Sequence, residues 1–122
     1  MKNLIVAIAL AVTALLTIGT AVAHHGWAWT TGGNIELTGL IVHAELGNPH
    51  GVLTLDVDGD TWTAEVGQPW RNERAGLKNG DLAPGVEVRL IGEPSENIRH
   101  RRMKVERLYL GDRLYELYPE RD

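Results

Sequence analysis

Residues 52–66 read VLTLDVDGDTWTAEV, and this stretch decides the fold. Apolar side chains alternate with polar ones on both sides of Asp58-Gly59, a dipeptide that favours the tight turn of a β-hairpin. The stretch therefore predicts two antiparallel strands, the second covering residues 61–66. Trp62 lies at the centre of this second strand, and we expect it in the core.

The chain before the hairpin predicts another strand. Residues 34–46 are rich in Ile, Leu and Val, and Gly39 inside them is expected to mark a bulge or bend. The four residues that follow at positions 48–51, Asn-Pro-His-Gly, have the composition of a turn.

The chain after the hairpin predicts a short helix and further strands. Residues 70–77 place Trp70, Arg74 and Leu77 at helical spacing, with Pro69 near the first turn and Trp70 as the expected anchor. Alternating residues from Val86 to Gly92 predict a fourth strand. A polar, loop-like stretch covers residues 93–102. A fifth strand runs from Met103, expected in the core, to Leu110, and residues 114–117 favour a short sixth.

The order of three strands, a helix and two strands is typical of an all-β, OB-like, partly open barrel of five or six strands. Its ligand loops would be residues 47–51 and 93–102. A small SH3-like barrel is the alternative fold.

The first 23 residues predict a secretory signal peptide. Lys2 is the only charged side chain among them, residues 4–18 are almost wholly apolar, and small residues at Ala21 and Ala23 suit a cleavage site. The alternative is an uncleaved membrane anchor, which Thr13, Thr17, Gly19 and Thr20 weaken. We therefore expect a signal at residues 1–23 and one barrel domain at residues 24–122, periplasmic or secreted, with no stable membrane anchor after cleavage.

Charge and composition exclude several function classes for the mature chain. It carries 11 Lys and Arg against 16 Asp and Glu, which argues against binding to nucleic acid or to anionic membranes. There is no cysteine, so neither a disulfide framework nor a thiol nucleophile exists. No catalytic constellation is recognisable, and we expect a binding protein rather than an enzyme.

The candidate metal ligands of the mature chain are histidines. Cleavage after Ala23 gives His24 both a free α-amine and an imidazole, which together can chelate one metal ion, and His25 adds a second imidazole. His50, held by a proline-stiffened turn in a predicted ligand loop, is the candidate third partner. Nitrogen ligands without thiolate favour Cu(II), with zinc as the second choice.

Each of these histidines also has a plain structural interpretation. His24 and His25 can belong to a frayed terminus, and His50 can simply hold its own turn. His43 lies within the first strand and is expected to be structural or exposed.

The alternative function is a metal-free module that binds a polypeptide or glycan partner, such as another periplasmic protein. Its candidate residues are Arg99 and His100, from the basic run at positions 99–102, and Trp27 and Trp29, the tryptophans most free to face a ligand.

The sequence resembles the DUF6152 family of small exported bacterial proteins. The resemblance rests on short motifs spread over nearly the whole mature chain: Ala23-His24-His25-Gly26-Trp27, Leu37-Thr38-Gly39, Asn48-Pro49-His50, Trp62, Arg74-Ala75-Gly76-Leu77, Leu82-Ala83-Pro84-Gly85, Met103 and Leu108-Tyr109-Leu110. Because that family is functionally uncharacterised, the resemblance implies fold and export but no activity.

Overall fold

Six strands and one short helix make up the computed structural model, which describes residues 26–121. The elements in chain order are β1 (Ile35–Glu45), β2 (Val52–Val57), β3 (Asp60–Glu65), α1 (Pro69–Arg74), β4 (Glu87–Pro94), β5 (Arg102–Leu110) and β6 (Arg113–Glu116). Among the residues described, no helix is long and apolar enough to cross a membrane.

Five of the strands close into a barrel. The sheet order is β3-β2-β1-β4-β5-β6, and β3 also pairs in parallel with the first residues of β5. That pairing joins the two ends of the five-stranded sheet, while β6 extends it by pairing with the second half of β5. The expected OB-like, all-β architecture is confirmed.

The central hairpin forms as its sequence predicts. Asp58 and Gly59 both have positive φ, at 52° and 89°, and the strands pair up to Val57 and Asp60. The Asp56 carboxylate accepts a hydrogen bond from the Gly59 N–H at 2.9 Å. A primed turn with these dihedrals matches the right-handed twist of the two strands, so the local sequence suffices to fix their register.

The interior of the barrel is apolar. Met103 lies in it, as expected, whereas Trp62 is only partly buried and packs against it from the side. The buried members of the core are Ile41, Leu53, Leu55, Ala64, Val66, Leu82, Val88, Leu90, Met103, Val105, Leu108, Tyr115, Leu117 and Tyr118.

The bulge in β1 lies beyond Gly39. The register with β2 shifts between Ile41 and His43, close to Leu40, where β1 changes from pairing with β4 to pairing with β2. The bulge in β1 lies near the point at which its pairing partner changes. The composition of β1 alone does not reveal where that change occurs.

The helix differs from its prediction in length and in its anchor. It ends at Arg74, because Gly76 with φ of 101° leaves the helical conformation, rather than continuing to Leu77. Trp70 does not anchor it: the side chain is 51% exposed and lies against the guanidinium groups of Arg71 and Arg74.

The predicted polar loop at residues 93–102 is shorter in the structure. Strand β4 continues through Glu93 to Pro94, and the loop covers residues 95–101. Gly92 explains the extension, because its missing side chain lets β4 approach the Lys104 carbonyl of β5 more closely than any Cβ would permit. Glu93 therefore belongs to the barrel wall.

Candidate functional site

Four charged residues are buried although they lie outside the apolar core. Glu65, Glu93, Lys104 and Glu106 each expose between 1% and 4% of their surface. Glu65, Lys104 and Glu106 alternate along β3 and β5 with members of the core such as Ala64 and Met103, so they face the other side of the barrel wall. Glu93 on β4 pairs directly with Lys104 and faces the same side. With Arg102 and Arg121, which pair with them, they form what we call the charged seam.

The strand register brings these charges together. Lys104 lies opposite Glu65 on the β3 side and opposite Glu93 on the β4 side. Arg102 donates a hydrogen bond from Nη2 to Oε2 of Glu65 at 2.8 Å. Burial lowers the pKa of the Lys104 amine, and the nearby Glu65 carboxylate opposes that shift. Three glutamates thus face three cations, and the seam is electrically balanced.

The segment of residues 26–31, which we call the N-terminal arm, covers one part of the seam. The Gly26 carbonyl accepts a hydrogen bond from Lys104 Nζ at 3.2 Å. The Thr30 hydroxyl donates to the Trp27 carbonyl at 2.7 Å, and its oxygen lies 3.3 Å from Glu93 Oε1. Backbone bonds tie the end of the arm to the chain after β4, including Glu96 N–H to the Trp29 carbonyl at 2.9 Å. The arm is therefore a fixed part of the fold from Gly26 onward.

Both tryptophans of the arm lie over cations of the seam. The Trp27 ring contacts the Arg121 guanidinium at 3.8 Å and Lys104 Nζ at 4.9 Å, and it meets the Tyr118 ring edge-on. Trp29 lies 4.0 Å from the Arg102 guanidinium. Both rings thus have partners within the protein.

The chain end covers the rest of the seam. Arg121 Nη2 lies 2.6 Å from Glu93 Oε2, and its Nε lies 3.4 Å from Glu106 Oε1. The second oxygen of Glu106 accepts a hydrogen bond from Asn34 at 2.9 Å. Every buried glutamate of the seam consequently has a charged or hydrogen-bonding partner, as buried carboxylates require.

His50 joins the seam at its other end. Its Nε2 lies 2.7 Å from Oε1 of Glu65, while Nδ1 is buried and has no hydrogen-bond partner among residues 26–121. A carboxylate accepts but does not donate, so Nε2 carries a proton, and in the neutral tautomer with this proton Nδ1 has a free lone pair. The side chain is 24% exposed.

The loop around His50 explains this position. Gly51 N–H donates to the Gly67 carbonyl and the Gly51 carbonyl accepts from Val66 N–H, both at 2.9 Å. These bonds hold the β1–β2 loop against the end of β3, beside Glu65. His50 thus contacts another strand, not only its own turn.

The other predicted site residues are dispersed. His24 and His25 lie outside the described residues, immediately before Gly26. His43 is an exposed strand residue that contacts Glu45 at 3.2 Å, as its structural interpretation expects. Arg99 and His100 lie on the exposed β4–β5 loop and have no contact with His50 among the hydrogen bonds and ion pairs of residues 26–121.

The glutamates of the seam are not among the residues that the sequence predicts for a site. Glu65 and Glu106 occupy polar positions of alternating strands, which predict a solvent-exposed face, and Glu93 falls in the predicted loop. The available signal is Trp27 and Trp29, which follow the predicted signal peptide, because two large rings near the start of a domain need a surface to cover.

No group of three or more His, Cys, Asp or Glu side chains within residues 26–121 has a geometry suited to a metal ion.

A family model described as "Family of unknown function (DUF6152)" matches residues 12–104. No curated protein matches the sequence.

Comparison with solved structures shows one with a similar fold and a weaker second match. The ZRD-deleted mutant of TiaS in complex with agmatine is 14% identical, with a TM-score of 0.53 over 73% of this chain and 27% of that one. A complex of TiaS with a tRNA and ATP is 11% identical, with a TM-score of 0.48 over 63% and 18%. This chain therefore spans about a quarter or less of the length of those proteins, and the similarity concerns the barrel fold alone.

Proposed function

We propose that this chain, which belongs to the DUF6152 family, is an exported protein that binds Cu(II) through His24 and His50 once its signal peptide has been removed. His24 supplies its α-amine and imidazole, and His50 supplies Nδ1. His25 contributes a further imidazole, and zinc is the second choice of metal.

The observation that carries the proposal is the state of the His50 ring. Metal-binding histidines usually donate their second ring N–H to a carboxylate, which fixes the tautomer and makes the ligand nitrogen more basic. Glu65 holds His50 in this way at 2.7 Å, and the opposite nitrogen has no partner among the described residues. A histidine that only stabilised a turn would need neither the buried carboxylate nor the vacant lone pair.

The path of the chain supports the participation of His24. Gly26 is hydrogen-bonded to Lys104, which lies opposite Glu65 in the parallel register, and Glu65 contacts His50. The arm thus begins, two residues after His24, at the side chain of the lysine that pairs with the Glu65 position.

Export supplies the free amine that the proposal needs. The apolar segment and the small residues at Ala21 and Ala23 support cleavage directly before His24. Mass spectrometry of the secreted protein is expected to find His24 as the first residue, and any other start contradicts the proposed ligand set.

The test is Cu(II) titration of the mature protein, followed by electron spin resonance. We expect a nitrogen-rich Cu(II) signal that is lost when one alanine is placed ahead of His24, because the amine then no longer forms a chelate with the imidazole. His50→Ala is expected to reduce affinity strongly, and Glu65→Gln by about 10- to 100-fold, the usual effect of a partner that orients a ligand. An unchanged signal after the alanine extension refutes the His24 chelate.

The matched control is His43→Ala, which removes an exposed imidazole from the same barrel. It is expected to leave copper affinity unchanged. Loss of affinity in this variant equal to that in His50→Ala would show non-specific binding to surface histidines and overturn the proposal.

Copper binding should also weaken in acid. The metal competes with protons for the imidazoles and the α-amine, whose ordinary pKa values are about 6.5 and 7.7–8.0. We expect the affinity to fall steeply as the pH drops below neutrality.

The second candidate function is a metal-free interaction module for a polypeptide or glycan. One observation favours it: Ile98 is 93% exposed at the tip of the β4–β5 loop, next to Arg99 and His100. Side chains of Ser95 and Asn97 hydrogen-bond the backbone of this loop and fix its shape. A mature protein that starts at His24 but binds neither copper nor zinc would favour this module.

A further inference from the structure

We infer that this protein associates with a second copy of itself, with the β4–β5 loop of one molecule docked in an acidic groove on the barrel of the other. The inference rests on neither of the functions proposed above, because neither a metal nor another partner takes part in the contact. It accounts for apolar side chains that the fold leaves in water on two separate surfaces.

The groove lies on the outer face of β1 and β2. Its volume is about 330 Å³, and its lining includes Leu40, Asp56, Asp58 and Glu87. In the strand register Leu40 lies opposite Asp56 on one side and opposite Glu87 on the other. An apolar side chain is thus set between carboxylates, and we call this site the acidic groove.

Apolar surface continues along β1 beside the acidic groove. Leu40 is 46% exposed and Val42 is 57% exposed, whereas Ile41 between them is buried. Because successive side chains of a strand point to opposite faces, both exposed side chains point away from the interior. Single exposed apolar residues are common, but adjacent ones beside a groove indicate a surface that binds a partner.

The charge of the acidic groove is not neutralised by nearby cations. Asp58 and Glu87 form no ion pair in the part of the chain that the structure describes. The next cation along β4, Arg89, is already paired with Glu36 at 2.8 Å. The chemistry of the groove therefore fits a segment that combines an aliphatic side chain with positive charge.

The β4–β5 loop is a segment of this kind. Ile98 is 93% exposed, and Arg99, His100 and Arg101 follow it directly. Arg99 forms no ion pair among the described residues, and Arg101 pairs only with the exposed Asp60, at 3.5 Å. The loop thus presents one aliphatic side chain next to unneutralised positive charge.

Hydrogen bonds hold the loop in shape before it docks. The Ser95 hydroxyl oxygen accepts a hydrogen bond from the Asn97 N–H at 3.2 Å, and Asn97 Oδ1 accepts one from the Arg99 N–H at 3.1 Å. The Asn97 carbonyl also accepts from the His100 N–H at 2.9 Å. A segment that is already ordered loses less conformational entropy when it binds.

A second copy of the chain is the occupant that brings these two surfaces together. Ile98 and Leu40 are both exposed within one molecule, so the loop does not cover the acidic groove of its own barrel. In a pair of molecules, Ile98 meets Leu40 and Val42 while the arginines face Asp58 and Glu87. Such electrostatic complementarity orients the contact and makes it sensitive to salt.

The test is sedimentation of the metal-free mature protein, in the presence of a chelator, over a series of concentrations. We expect association that increases with concentration and that about 0.5 M salt weakens several-fold, because the paired charges lie near the surface. A monomer mass that persists up to about 1 mM protein overturns the inference.

Substitutions on the two surfaces should weaken association to a similar degree. Ile98→Ser removes the aliphatic side chain of the loop, with an expected weakening of about 10- to 100-fold. Leu40→Lys repels the basic loop, while its cation lies between Asp56 and Glu87 and so favours the folded barrel. If Leu40→Lys nevertheless lowers the urea midpoint, Val42→Lys replaces it at a more exposed position.

The matched control is Leu114→Ser, which removes an exposed leucine from β6 and is expected to leave association unchanged. Association weakened by this variant as strongly as by Ile98→Ser would show non-specific apolar contact and overturn the inference. Weakening by only one of Ile98→Ser and the β1 variant would overturn the pairing of loop and groove.

Mixing the two variants gives the decisive result. Ile98→Ser retains an intact groove and Leu40→Lys retains an intact loop, so an equal mixture should form one-to-one dimers at a concentration where neither variant associates alone. This expectation holds whether the wild-type protein forms closed dimers or longer chains. A mixture that stays monomeric overturns the inference.

Discussion

The interior of the barrel and the charged seam lie on opposite sides of the same wall, and the three glutamates and the lysine of the seam are buried like the interior. The interior consists of aliphatic and aromatic side chains whose burial stabilises the fold without requiring particular partners. In the seam, Glu65, Glu93 and Glu106 each need an arginine, a lysine or a hydrogen-bond donor at a defined distance.

The two regions differ in the effect that burial of their side chains has on the protein. Replacement of a buried ion pair by apolar side chains is often neutral or stabilising, so such a pair is weak evidence for stability. In this protein the seam instead fixes the positions of the N-terminal arm, of Arg121 and of His50. We therefore interpret burial of the apolar interior as what stabilises the fold. The charged seam mainly fixes the positions of the residues that contact it.

The largest expected effect is in the interior. Leu55→Ala should lower the free energy of unfolding by about 2–5 kcal/mol, because it removes a fully buried side chain and leaves a cavity. Urea denaturation measures the change. Leu114→Ala, at an exposed position on β6, should change the free energy of unfolding by about 0.5 kcal/mol or less. Equal losses of unfolding free energy in Leu55→Ala and Leu114→Ala would contradict the burial of Leu55 in the core.

A smaller effect is expected from neutralisation of one carboxylate in the seam. Glu106→Gln keeps the shape of the side chain and leaves Arg121 paired with Glu93, so the loss should be about 1–3 kcal/mol, typical of a hydrogen bond with a charged partner. Urea denaturation under the same conditions gives the comparison. A loss greater than that of Leu55→Ala would mean that the seam, not the interior, dominates stability.

The pH dependence of unfolding separates the two regions further. Burial lowers the pKa of Lys104 from 10.5, so in the alkaline range below 10.5 the unfolded chain binds more protons than the folded one. Stability linked to Lys104 is therefore gained as the pH rises through its folded-state pKa towards 10.5, and is lost as the pH falls. Burial also raises the pKa of Tyr118 above 10.0, so stability linked to that phenol declines as the pH rises above 10.

Lys104→Met tests the lysine contribution. Glu65 keeps Arg102 and Glu93 keeps Arg121 in this variant, so it should fold. Compared between pH 7 and pH 9.5 by urea denaturation, the wild-type protein should gain stability relative to the variant. Parallel pH profiles would show that the Lys104 amine is not desolvated in the folded state.

The smallest effect is expected outside both regions. Asp60 and Arg101 form an ion pair at 3.5 Å, with both side chains more than half exposed. Asp60→Asn should change the free energy of unfolding by about 0–1 kcal/mol, and 0.5 M salt should remove the difference. A loss of several kcal/mol in unfolding free energy that salt does not reduce would contradict this prediction and show that the ion pair stabilises the fold.

Local patterns sufficed for much of the fold. The alternation in residues 52–66 and the Asp58-Gly59 turn specify their hairpin through neighbouring residues alone, and Met103 occupies the interior as its apolar strand indicates. The β1 bulge depends on strands that are distant in sequence, and Gly39 does not mark its position. The helix ends early at a local feature, Gly76, and Trp70 is exposed, so the helical spacing of residues 70–77 predicted both the boundary and the anchor incorrectly.

The candidate site divides in the same way. Sequence by itself determined the paired histidines, the proline-stiffened turn that holds His50 and the family resemblance, because these are properties of contiguous residues. Only the tertiary structure decided that His50 contacts Glu65, that Gly26 contacts Lys104 and that Arg121 contacts Trp27. The parallel pairing of β3 with β5 brings these groups together, and such a pairing depends on closure of the whole barrel, which no single segment encodes.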